Sequence, residues 1–271
     1  DAYYLSYQSP YSSLPESEAN PKAKASVLRA LQLDDTLAEA HMTHAGIVFM
    51  DGKYDEGDKE FRRAIDLNPN YAATHLRYGF FLLIRSELDQ ALAAMKRAVE
   101  LDPVSPTSRA ALAYVQFMAR DFDGAMAELK KALELQPDNL VARVNLAALY
   151  IHKRMFEQAE VELKNLDQEN PFVQRELAYL YAMAGRVDEA RQLIKEIKNS
   201  KNVNELGTYD FAVLYAAVGD KDSAFEYLRK ATPSHSLMSM LRFDPQLDSA
   251  RTDPRFAELI NRPVLEYRAR W

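Results

Sequence analysis

Three histidines are the residues with the most chemistry to offer. His41 and His44 stand three apart, on one face of any helix that contains them, and His75 follows His41 by 34 residues. Imidazoles so placed could begin a zinc site, which is completed by four nitrogen, oxygen or sulfur ligands. The chain has no Cys, and no acid accompanies the three at ligand spacing, so no metal is predicted. Ser234-His235-Ser236 reads as a turn at a helix end rather than a nucleophile beside its base. The glycines are too dispersed for a phosphate-cradling loop, and neither Gly-x-Ser-x-Gly nor His-Glu-x-x-His occurs. Asp55, Asp89, Asp123, Glu157, Asp188 and Asp222 each open a helical stretch, where a negative charge favours the free amides of the first turn. They are helix-terminus residues, not an acid–base pair. No catalytic residue and no cofactor is predicted, and the chain is expected not to be an enzyme.

Composition narrows the remaining classes. The 271 residues are 48% hydrophobic and 27% charged, enough to bury a sizeable core. A formal charge of −6, with Lys and Arg scattered among Asp and Glu, offers no broad cationic surface, so nucleic acid is not an expected partner. Without cysteine there is no disulfide or thiolate chemistry, and cytoplasm and periplasm both remain open. The longest apolar run, about Tyr78 to Ile84, falls far short of the roughly 20 residues of a spanning helix. No direct membrane insertion is expected.

The elements that must position these residues are helices. Gly (8) and Pro (12) are few, and Ala, Leu, Glu and Lys recur at helical spacing. One hexamer keeps returning: Gly52-Lys-Tyr-Asp-Glu-Gly57, Ser86 to Ala91, Arg120 to Ala125, Arg154 to Ala159, Gly185 to Ala190 and Gly219 to Ala224. Its starts are 34, 34, 34, 31 and 34 residues apart. Asn68-Pro69, Asp102-Pro103, Gln136-Pro137 and Asn170-Pro171 form a second series, 34 apart, that ends each unit because Pro cannot continue a helix.

This spacing resembles the tetratricopeptide repeat, a 34-residue pair of antiparallel helices. The resemblance implies units at 38–71, 72–105, 106–139, 140–170, 171–204 and 205–238. Residues 1–37 then make a partial unit with a long loop, and 239–271 a helical C-terminal cap. Small residues fall at position 8 (Ala45, Gly79, Ala113, Ala147, Ala178, Ala212) and position 20 (Gly57, Ala91, Ala125, Ala159, Ala190, Ala224). Bulky ones fall at position 24 (Phe61, Met95, Leu129, Leu163, Ile194, Leu228), and position 27 holds Ala64, Ala98, Ala132, Leu166, Ile197 and Ala231. Small side chains let the helices of a pair approach, and large ones fill the space against the next pair. The expected fold is all-α, a right-handed α-α superhelix of about six full hairpins. Two departures stand out. The fourth step is three residues short, which predicts a tighter turn after Leu166, and the family's Trp at position 4 is replaced by His41, His75, Arg109, Arg143, Arg175 and Thr208.

At the start, Lys22 to Leu33 carries the second-helix pattern, while Gln8 to Asn20 reads as a loop and Asp1 to Leu5 as the tail of a first helix. The uncovered face of that half-pair predicts further chain upstream. At the end, Asp244, Pro245, Asp248, Arg251, Asp253, Pro254, Arg255 and Phe256 follow a pattern similar to the closing module of such arrays in bacterial regulatory proteins. The resemblance suggests a winged-helix, cyclase-like or kinase domain elsewhere in the protein.

In the family the first helices line a concave wall. Projected here, that wall is Met42, Phe49, Met50, Leu76, Phe80, Leu83, Ile84, Tyr114, Phe117, Met118, Val144, Ile151, His152, Tyr179, Met183, Tyr209 and Val213. So apolar a surface marks an interaction site suited to an amphipathic or apolar peptide. Two alternatives are that the segment Pro263 to Trp271 folds back onto the wall, or that a second copy of the chain covers it. The carboxylate clamp of chaperone-binding relatives is missing: Met42, Gly46, Arg77, Thr107 and Ala111 stand where its Lys, Asn and Arg would be. Two functions remain in view, a protein-binding scaffold and a sensor domain that regulates a neighbour.

Overall fold

A computed structural model describes residues 16–201, 206–231 and 235–261, with side chains from residue 21 in the first stretch and from 236 in the last. These residues form helices, and no strand occurs among them. Helix α1 (Glu16–Leu33) is followed by six antiparallel pairs. They are α2 (Ala38–Met50) with α3 (Tyr54–Leu67), α4 (Ala72–Ile84) with α5 (Leu88–Leu101), α6 (Pro106–Met118) with α7 (Phe122–Leu135), α8 (Leu140–His152) with α9 (Phe156–Lys164), α10 (Pro171–Met183) with α11 (Val187–Asn199), and α12 (Thr208–Ala217) with α13 (Lys221–Lys230). Then come α14 (His235–Phe243), a 3-10 turn (Pro245–Leu247), α15 (Asp248–Arg251) and α16 (Pro254–Ile260).

Helix α1 starts at Glu16, six residues before the Lys22 expected from the repeat pattern, and takes in Pro21. The cost is the one backbone bond that the proline nitrogen cannot donate. The expected first-helix tail at Asp1 to Leu5 lies outside the described residues.

Each pair is joined the same way, and the hexamer explains how. Its first residue holds a left-handed backbone every time: Gly52, Gly185 and Gly219 at φ 79°, 82° and 80°, and Ser86, Arg120 and Arg154 at 65°, 63° and 59°. Asp121 N then donates to Gln116 O, Met155 N to Tyr150 O, Arg186 N to Tyr181 O and Asp220 N to Tyr215 O, at 2.8 to 2.9 Å. This six-to-one bond satisfies a carbonyl that the ending helix leaves free. Asp121 and Asp220 go on to cap the next helix, accepting from Gly124 N and Ser223 N.

The small-and-large register is buried as its spacing demands. Ala91, Ala125, Ala159, Ala190 and Ala224 have no exposed surface, nor do Met95, Leu163 and Leu228, one turn further along the same helices. Leu166 is the exception, only partly buried. The helix gives up more than the three missing residues: α9 has 9 residues where α3, α5 and α7 have 14, and the connection after it, 165–170, is two residues longer than the one at 136–139. Side-chain amides replace the lost turn, Gln168 donating to the carbonyls of Leu163 (2.9 Å) and Leu166 (2.7 Å) and Asn165 to that of Val161 (2.9 Å). Pro171 accordingly becomes the first residue of α10, where a proline needs no donor.

The described residues fall into two compact units. One holds the chain to Leu82 with Asp89–Asp102. Its interior is aromatic, Phe61 packing on Phe81 at 5.3 Å and on Tyr78 at 5.5 Å between ring centres. The other holds Leu83–Leu88 and the described chain from Pro103. Here first helices pack on first helices, α6 on α8, α8 on α10 and α10 on α12. The C-terminal residues singled out in the sequence close this unit. Arg251 donates to the carbonyls of Leu241 and Asp244, Asp253 caps α16 through Arg255 N, and Phe256 is buried beneath the Arg251 guanidinium.

Candidate functional site

The histidines are structural pins. His41 Nε2 meets the carbonyl of Asp35 at 2.9 Å and Nδ1 meets Glu60 at 2.7 Å, while His75 Nε2 meets the carbonyl of Pro69 at 2.9 Å. Arg109 and Arg143, at the same repeat position, do the same work: each donates to the carbonyl six residues back, at Pro103 and Pro137, and to a glutamate nineteen residues on, Glu128 and Glu162. At His41, Arg109 and Arg143, position 4 thus ties the turn between pairs to a glutamate of the second helix where the family uses an indole. His44 Nδ1 lies 3.3 Å from Glu60 without a hydrogen bond. Among the described residues no group of three or more His, Asp or Glu is arranged to hold a metal ion. Ser234 and the side chain of His235 lie outside the described residues.

The seventeen wall positions divide by burial. Met42, Leu83, Met118, Ile151, Tyr179 and Val213 are interior and, as packed, have no surface to offer a partner. They touch neighbouring helices because close-packed pairs turn part of the first-helix face inward. Phe49, Leu76, Ile84, Tyr114, Phe117, Val144, His152 and Tyr209 are half-buried. Phe49 leans on Tyr54 and Phe81, and His152 sits 4.2 Å from the Phe122 ring, its pKa lowered by burial. Met50, Phe80 and Met183 are exposed, at 42%, 39% and 37%.

Within the second unit, part of this face is covered by the chain itself. The segment expected to fold back, Pro263 to Trp271, lies outside the described residues. The covering is done by α14, the 3-10 turn and α15. Leu237, Met238, Leu241 and Leu247 are buried in one core with Tyr179 and Val213. Beside them remains a half-open pocket of about 470 Å³, walled by Tyr114 and Phe117 of α6, Val144 and Asn145 of α8, Phe172 of α10, and Leu237 and Met240 of α14.

Its charged end is a network that repetition alone does not reveal. Arg175 donates to Glu176 and, at 2.7 Å, to Gln246, whose amide donates to Glu176 at 3.1 Å. Arg175 Nε lies 3.3 Å from Asp210. Tyr209 donates to Asp244 at 2.8 Å, and Arg120 grips Asp248 with two bonds of 2.6 and 2.7 Å. Burial pushes the carboxyls of Glu176 and Asp244 up against the pull of Arg175, and raises the hydroxyls of Tyr114, Tyr179 and Tyr209. The Arg120 bonds pull Asp248 down. Every charged member has a partner within the fold, so the arrangement positions a segment. The one signal in the sequence was the run from Asp244 to Arg251, which gave the residues of the segment but not their partners on α10 and α12.

Comparison with known proteins follows the same lines. No curated protein matches the sequence. A tetratricopeptide repeat family model matches residues 51–106 and 82–139, and a second one matches 116–175. Among solved structures, a tetratricopeptide repeat protein from Parabacteroides merdae aligns over 90% of this chain and 92% of its own, with a TM-score of 0.67 at 15% identity. PilW, a widely conserved type IV pilus biogenesis factor, aligns over 79% of this chain and 98% of its own, with a TM-score of 0.58 at 19% identity. The pilF protein of Pseudomonas aeruginosa covers 72% of this chain and 90% of its own, with a TM-score of 0.53 at 18% identity. At these identities the likeness is one of fold.

Proposed function

We infer, from a chain whose residues 51–175 are tetratricopeptide repeats, that it is a non-enzymatic scaffold that binds another polypeptide along the face of its first helices. The observation that carries this reading is the large apolar side chains left uncovered there, Met50, Phe80 and Met183. Within the first unit half-buried Leu76 lies on the same first helix as Phe80, and within the second half-buried Tyr114 and Phe117 add apolar surface on α6. Water-exposed apolar surface of this kind is stabilised by a partner that covers it, and aromatics with methionine adapt to more than one shape. The partner is an apolar or amphipathic peptide rather than nucleic acid, bound without a cofactor. A second reading, a sensor domain within a larger bacterial regulator, is favoured by the closing pattern from Asp244 to Phe256.

The triple change Phe80→Ser, Phe117→Ser and Met183→Ser tests the first reading. In a pull-down with the native partner, capture is expected to fall at least about tenfold, the scale of losing one or two apolar anchors, while circular dichroism keeps its helical signal. Undiminished capture would remove this face from the account.

A further inference from the structure

The covering of the first-helix face in the second unit has two features that a permanent core element does not need. Its apolar half is ordinary: Leu241 and Leu247 are fully buried, and Leu237 and Met238 nearly so. Its other half is held by polar pins, Arg120 to Asp248, Arg175 to Gln246, Gln246 to Glu176 and Tyr209 to Asp244. Arg120 and Asp248 are nearly half exposed, where an ion pair adds little, and the buried pairs give little net adhesion once their desolvation is counted, but together they fix register. The segment also leaves a half-open pocket of about 470 Å³ against the wall it covers. Along that open edge the segment and the wall do not make the close-packed contacts of a protein interior. The segment is thus held in register by polar bonds and packed along only part of its length.

We propose that residues 236–251 are an intramolecular clasp, occupying the first-helix face of this unit in the place of a partner. The partner that exchanges with it is a helix of the same chemistry, an apolar stripe followed by carboxylates four residues apart, as Asp244 and Asp248 are here. The clasp rests on the reading of that face as a polypeptide-binding surface, and adds its regulation: binding requires release of the chain's own segment, so apparent affinity is reduced by the fraction of chains that are closed.

The test uses the full chain carrying Leu241→Ala and Asp248→Ala, which loosens one apolar anchor and one charged pin and leaves the wall intact. The probe is a labelled synthetic peptide of residues 235–251. Amide hydrogen exchange across 237–250 is expected to quicken at least about tenfold, given the usual cost of a buried leucine truncation, while α8 and α10 keep their protection. The peptide is expected to bind the loosened chain at least about tenfold more tightly than the wild type, which its own segment blocks. A peptide carrying the same two substitutions should not bind. Unchanged exchange across 237–250 would overturn the clasp and leave the binding face untouched. Faster exchange without peptide binding would show that the bared wall accepts no helix, and would overturn the reading beneath the clasp as well.

Discussion

Replacing Glu176 with Leu is expected to lower the unfolding free energy by about 3–5 kcal/mol, the range for removing one partner of a buried ion pair. Glu176 is 1% exposed and accepts from both Arg175 and Gln246. Leucine has nearly the right volume, so lost packing contributes little. The cost arises at Arg175, which keeps its charge inside the fold with Asp210 at 3.3 Å as the nearest remaining acid. Glu176→Gln should lose distinctly less, because its amide oxygen can still accept from one of the two. Urea denaturation of the three proteins measures the order. Equal stability of the leucine variant and the wild type would mean that the network carries no part of the fold.

The second large effect concerns register. Ala98 lies on α5 with no exposed surface, at the repeat position where a small side chain meets the next element. Ala98→Arg forces a long charged side chain into that contact, and a loss of about 3 kcal/mol or more is expected from overpacking and an unpaired buried charge together. Ala93→Arg, at an exposed position of the same helix, should change stability by no more than about 0.5 kcal/mol. Thermal unfolding of the two variants compares the inside and outside of one helix with the same substitution. If the two lose equally, the small-and-large register is misplaced.

Much of the fold was legible because repetition multiplies a weak signal. A single alanine says nothing, but alanine at 91, 125, 159, 190 and 224 fixes which face of each second helix is buried. The left-handed turns were half visible. Gly52, Gly185 and Gly219 announce them, whereas Ser86, Arg120 and Arg154 hold the same backbone without announcing it, and at Arg120 and Arg154 the six-to-one bond closes the turn whatever the side chain. The missing three residues were legible as a count but not as a place. The sequence pointed to a tighter turn after Leu166, but the connection there is longer and it is α9 that shortens, where the amides of Asn165 and Gln168 take over the free carbonyls.

The site was less legible, for a reason of distance. Periodicity reports which face of a helix turns inward, not what lies against it. Tyr179 and Val213 read as open wall, and they are buried in one core with Leu237 and Leu247, far along the chain. The Arg120 to Asp248 pair spans 128 residues and belongs to no repeat. The His41 and His75 roles could have been read from their equivalence to Arg109 and Arg143, since a position shared by histidine and arginine suits donation to a carbonyl better than ligation of a metal.

The most direct measurement is photo-crosslinking with benzoylphenylalanine placed, one position at a time, at Phe80, Phe117 and Met183 on first helices and at Leu135 and Val161 on second helices. All but the half-buried Phe117 are exposed apolar positions, so general stickiness cannot separate the two groups. In the presence of the native partner, polypeptide adducts should form from the first three positions and not from the last two. Adducts of equal yield at Leu135 and Val161, or none at Phe80, Phe117 and Met183 while the partner stays bound, would contradict recognition by the first-helix face.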